Sequence, residues 1–238
     1  MGGCMGIDPT YGQVIHLPHA PVRAPEPRVG QVALQEVQAA FAGDIAVAGF
    51  ILAALRRSAR PVLWVQDRVS RRERGRLYLP GGGKRMAFSA LLQIEVSHAR
   101  DVLWAMEEGA SCSGLGAVVG EIDGNPKALD FTATKRLALR AEASGVPVWL
   151  IRSHDAAGLS AARERWRIRS APSMRAPHDP GAPGPPCWQV ELFRARGRPP
   201  GKWVMRHDFA QDRLDLVSEA GDGAVAGDDP LRQDVTRA

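Results

Sequence analysis

Cysteine is scarce in this 238-residue chain: Cys4, Cys112 and Cys187 are the whole set. Three scattered thiols with no CxxC pair suggest neither a disulfide framework nor a zinc site. They are expected to be reduced, with Cys112 and Cys187 packed in or near the core. Long apolar runs are missing too. The most continuous, Ile45 to Leu55 (IAVAGFILAAL), has eleven residues against the ~20 that a bilayer-spanning helix needs. It therefore reads as a buried helix, and no membrane partner is expected. The first thirty residues are interrupted by Pro9, Pro18, Pro21, Pro25 and Pro27. They contain no apolar run of signal-peptide length, so the chain is expected in the cytoplasm.

A phosphate-binding loop is also lacking. The stretch LYLPGGGKRMAFS, Leu77 to Ser89, has three glycines and a lysine. The consensus, however, needs a glycine five residues before the Gly-Lys pair and a hydroxyl residue after the lysine. Tyr78 and Arg85 stand in those places. A connection whose backbone needs positive φ explains Gly81 to Gly83 equally well. Ser153, His154 and Asp155 adjoin one another, whereas the groups of a catalytic triad converge from separate elements, and there is no G-x-S-x-G elbow. No catalytic residue and no metal site is assigned.

What is present is a hydrophobic content of 45%, ordinary for a globular core, and a formal charge of +5. Eleven Arg or Lys face four Asp or Glu between Ile151 and Arg206, so the C-terminal half suits an anionic partner. The pattern divides the chain into a proline-rich arm (1–30), one domain (31–210) and a disordered tail (211–238). Asp44 is placed to cap the buried helix. Apolar runs at PVLWVQD, ALLQIEV, LGAVVGEI and VPVWLI read as strands, PVLWVQD as a buried parallel one. Helices follow Ser97 and run from Thr132 to Ser144, with Gly145 as the stop. Such alternation predicts an α/β fold, a mostly parallel sheet covered on both faces.

The grammar then changes. ERWRIRS alternates arginine with Trp166 and Ile168, while CWQVELFR and GKWVMRH flank the turn ARGRPPG as a basic hairpin over 187–207. These three segments look antiparallel. Between them, 171–187 is too rich in proline and glycine for regular structure and reads as a mobile loop. Arg194, Arg196, Arg198 and Lys202 are expected to form a positive tip that meets DNA or an acidic partner. On the helix before LGAVVGEI, Trp104 and Met106 read as packing residues, and Glu107 and Glu108 as a free polar side.

The segments PVLWVQD, LLQIEVSHARDVLWAMEEGASCSGLGAVVGEID, TATKRLALRAEASGVPVWLIR, RWRIRSAPS and WQVELFRARGRPPGKW together resemble the ImuA family of SOS-response proteins, relatives of RecA. The resemblance covers about Val32 to His207. Its most specific part combines DVLWAMEEG before GAVVGE with the W…R.RG…GKW ending. It implies a RecA-like three-layer core with antiparallel strands at the C-terminal end. It also implies an accessory, scaffolding function in error-prone translesion synthesis. The implied partners are an ImuB-type inactive polymerase-like protein, an error-prone DnaE-type polymerase, a RecA filament and single-stranded DNA. The phosphate loop of such a core would fall within VALQEVQAAFAGDIAVAGF, which has Gly43 before the helix but no Gly-Lys-Thr. Gly43, Asp44, Asp67 and Glu121 then mark a degenerate nucleotide site, Glu121 near the place of the metal-binding carboxylate and Asp67 near that of the water-orienting one. Neither ATP nor magnesium is expected as a cofactor. The alternative is a DNA-dependent ATPase with an altered phosphate loop.

Overall fold

The computed structural model describes residues 33–55, 59–78, 90–176, 179 and 181–219. The proline-rich arm, most of the Gly81 to Gly83 connection and the chain beyond 219 lie outside them.

Nine strands form a single sheet. They are β1 (Leu34–Ala39), β2 (Val62–Asp67), β3 (Leu91–Val96), β4 (Ala117–Ile122), β5 (Val148–Arg152), β6 (Glu164–Ala171), β7 (Cys187–Ala195), β8 (Gly201–Asp208) and β9 (Arg213–Glu219). Four helices accompany them: α1 (Ala46–Ala54), α2 (Arg68–Arg74), α3 (Ala99–Ala110) and α4 (Phe131–Ser144). The strand order is β3-β2-β4-β5-β1-β6-β7-β8-β9. Pairing is parallel from β3 through β6 and antiparallel from β6 through β9. The fold is α/β, with a RecA-like core and antiparallel strands at its C-terminal end.

The central strands β1, β2, β4 and β5 are buried along their whole length; β2, β4 and β5 accordingly read as mostly apolar runs, whereas β1 buries Gln35, Glu36 and Gln38 as well. Alternate side chains supply two cores. On one face Val37, Trp64, Val119, Trp149 and Trp166 pack with Phe50 and Ile51 of α1. On the other Leu63, Val118 and Leu150 pack with Val102 and Met106 of α3 and Leu137 of α4. The antiparallel strands extend the first core through Trp188, Trp203 and Met205.

Several expectations are corrected. ERWRIRS is antiparallel on one side alone: β6 pairs antiparallel with β7 but parallel with β1, joining the two halves of the sheet. The arginine-rich stretch after PVLWVQD, which reads in the sequence as a connection, is α2, started by the Asp67 carboxylate, which accepts from the Ser70 N–H at 2.7 Å, and stopped at Gly75 with φ 78°. The sheet continues past residue 210 as β9, whose Leu214 packs against the first core. Within 171–187 the described residues form one isolated bridge, Arg175 to Pro183. Cys187 is buried, but Cys112 is exposed in the turn after α3. Met106 is fully buried, whereas Trp104 is 67% exposed. Glu107 is not free: it is buried and paired with Arg136 at 2.9 Å and Arg140 at 3.8 Å.

Candidate functional site

The carboxyl ends of β1, β4 and β5 open on a cleft of about 250 Å³, lined among others by Gly43, Asp44, Arg74, Asp123, Ser153 and His154. Ligands of open α/β sheets bind at this end of the strands. Beside it, between α1 and the end of α2, lies a second cavity of about 370 Å³ bordered by Asp44, Gly49, Leu52, Arg74, Glu121 and Trp188. Asp44 and Arg74 border both.

The loop from β1 to α1 turns at Gly43, whose φ of 80° suits glycine. The Asp44 carboxylate then occupies the beginning of α1. One oxygen accepts from the Ala46 N–H at 2.9 Å, and the other accepts from the N–H and hydroxyl of Ser170 on β6 at 2.9 and 3.3 Å. The start of a helix is where an anion is best held. Here the chain's own carboxylate takes that place, and the loop has neither the lysine nor the hydroxyl that hold phosphate and magnesium in an ATPase.

Glu121, near the end of β4, is 3% exposed. Its Oε1 accepts from Trp64 Nε1 at 2.6 Å and from Gln66 Nε2 at 3.0 Å, while Oε2 lies 3.7 Å from the Arg74 guanidinium. Burial raises its pKa above the ordinary carboxyl range, against the opposing pull of Trp64, Arg74 and Gln66. Asp67 borders neither cavity and caps α2. Ser70 next to it donates to the Glu121 carbonyl at 3.0 Å and accepts from the Asp123 N–H at 2.9 Å, fastening α2 to β4.

Gly43 and Asp44 thus share one cleft, Asp44 and Glu121 share the next, and Asp67 stands apart. All three carboxylates make hydrogen bonds within the protein. Among the described residues no cluster of three or more His, Cys, Asp or Glu could hold a metal ion. Sequence reasoning missed Trp64, Gln66, Arg74 and Ser170. The polar Gln66 inside an otherwise apolar strand was the available signal, since it points to the same face as Glu121.

Ser153 accepts from the Gly124 N–H at 3.1 Å. A hydrogen bond with Ser153 holds the Asp155 carboxyl below the usual range. No described hydrogen bond links His154 to either, so a relay is not formed. Nearby, Glu36 of β1 pairs with Arg152 at 2.8 Å and Arg165 at 3.2 Å, all three buried.

On the basic hairpin, Arg194, Arg196 and Lys202 are exposed. Arg198 is not part of the tip. It folds back to pair with Glu164 at 2.8 Å and lies 5.1 Å over the Trp166 ring.

No family profile matches the chain. It is 33% identical over 184 residues to the protein described as Protein ImuA in two strains of Caulobacter vibrioides, NA1000 and CB 15, an alignment covering 71% of this chain and 71% of each relative.

Proposed function

The chain belongs to the ImuA family, and on that premise we propose that it serves the SOS-induced, error-prone translesion synthesis machinery as a scaffold without ATPase activity of its own. One observation carries the non-catalytic part of this reading: the Asp44 carboxylate sits at the start of α1, bonded to Ala46 and Ser170, where an ATPase would receive a phosphate. A nucleotide entering there meets a negative charge, and no lysine or hydroxyl of the loop between β1 and α1 answers it. The Glu121 arrangement supports the same reading, because the oxygen that accepts from Trp64 and Gln66 is already engaged and the other faces Arg74.

The partners that fit are an ImuB-type inactive polymerase-like protein and an error-prone DnaE-type polymerase, with a RecA filament and DNA as the setting. Arg194, Arg196 and Lys202 give the hairpin a cationic surface for DNA or an acidic partner segment. The test has two arms. Purified full-length protein with magnesium, ATP and single-stranded DNA is expected to release no phosphate above background and to melt at an unchanged temperature. Phosphate release stimulated by single-stranded DNA, together with a melting shift with ATP that Glu121→Ala abolishes, would instead establish the altered-loop ATPase. In the second arm, tagged protein from SOS-induced cells is expected to co-purify with the polymerase-like partner. Its failure to do so in induced cells overturns the scaffold.

A further inference from the structure

The core-facing positions of the antiparallel half are Trp166 and Ile168 on β6, Val190 and Leu192 on β7, and Trp203 and Met205 on β8, all buried. The residues between them stand on the opposite face by the two-residue period of a strand. No described helix packs against that face of β7 and β8. The strand registers arrange its side chains in rows: Arg167, Glu191 and Lys202 in one, Arg169, Gln189 and Val204 in the next. A cleft of about 280 Å³ opens here, lined by Ala40, Arg167, Arg169, Gln189, Glu191 and Lys202 among others.

Three of those side chains are cationic and one is acidic. Glu191 is committed to Arg167 at 2.8 Å. Arg169 and Lys202 are exposed, and no described carboxylate lies within ion-pair distance of either. Aromatic rings accompany the charges. Phe41, 45% exposed, lies beneath the Arg169 guanidinium at 5.7 Å. Phe193 carries Arg165 and Arg167 at 5.3 and 4.9 Å.

We propose that this open sheet face binds single-stranded nucleic acid, with Arg169 and Lys202 on phosphates and Phe41 stacking an unpaired base. Charge complementarity selects a polyanion. Single strands rather than acidic peptides fit the exposed ring beside the cations, because bases present a flat face to stack and carboxylates do not. The surface takes Lys202 from the hairpin but neither Arg194 nor Arg196, and its binding does not depend on whether ATP is turned over or a polymerase is scaffolded.

Fluorescence anisotropy of the full chain with a labelled oligothymidylate across a potassium chloride series tests it. In the Arg169→Ser, Lys202→Ser double variant the slope of log affinity against log salt is expected to shrink by about 1.4, or roughly 0.7 for each cation lost from a single strand. Phe41→Ala is expected to weaken binding severalfold with the slope retained. An unchanged affinity and slope in the double variant, shown to be folded by circular dichroism and melting, overturns the proposal. So does a pattern in which Arg194→Ser, Arg196→Ser abolishes binding and the sheet-face variants do not. If polyglutamate competes as well as the oligonucleotide and Phe41→Ala is silent, the face serves an acidic protein segment and the proposal fails.

Discussion

At Glu121 the fold keeps a carboxylate out of water and compensates it only in part, through Trp64, Gln66 and Arg74. Its raised pKa means that the folded protein keeps this proton to higher pH than the unfolded chain does. The resulting stability is present below the ordinary carboxyl pKa and is lost as pH rises through the raised one. Glu121→Gln retains an acceptor for Trp64 and Gln66 without the charge. Relative to the native protein, the variant is expected to gain stability as pH climbs from acid to neutral. Urea unfolding along that range checks it, and a constant difference would show that Glu121 does not titrate in the window. Asp44 is held by three donors, the Ala46 N–H and the N–H and hydroxyl of Ser170. Asp44→Ala removes the bonds to Ala46 and Ser170 and is expected to cost about 1–2 kcal/mol in the same measurement.

At the scale of elements, the contact of β4 with α3 depends on the absence of a side chain at Gly120. A Cβ there would run into the Met106 side chain, including its Cγ near the backbone. Gly120→Ala is therefore expected to destabilise by about 1–3 kcal/mol, as overpacking does, with Met106→Ala in the same chain recovering part of the loss. The hairpin divides in an equally checkable way. Arg198→Ala leaves the buried Glu164 without its 2.8 Å partner and is expected to cost about 1–3 kcal/mol. Arg194→Ser and Arg196→Ser, on exposed side chains, are expected to stay within about 0.5 kcal/mol. Thermal melting of the three variants separates the arginine that holds the sheet from those that remain at its surface.

At the scale of the whole molecule, one continuous sheet joins a parallel half with helices on both faces to an antiparallel half on one face of which no described helix packs. Strand β9 closes the far edge and contributes Leu214 to the first core. A chain ending at residue 210 lacks that strand and is expected to melt several degrees lower than one ending at 219. Equal melting temperatures would show that β9 adds nothing to the cooperative unit.

The sequence alone determined the elements whose burial is uniform or strictly periodic. PVLWVQD, LGAVVGEI and VPVWLI could hardly be anything but inner parallel strands, and the i, i+3, i+4 spacing of Val102, Leu103 and Met106 put one face of α3 on the sheet. The missing lysine and hydroxyl after Gly43 were equally legible, because a phosphate loop is a local motif. Only the tertiary structure decided what depends on residues far apart in the chain. It made β6 a parallel partner of β1, turned Arg198 from the hairpin tip onto Glu164, and bonded Asp44 to Ser170 across 126 positions. The reason is physical: a polar side chain looks alike in sequence whether it meets water or a buried partner. Which of the two it meets is fixed by strand order and register, and these are set by the packing of the whole sheet.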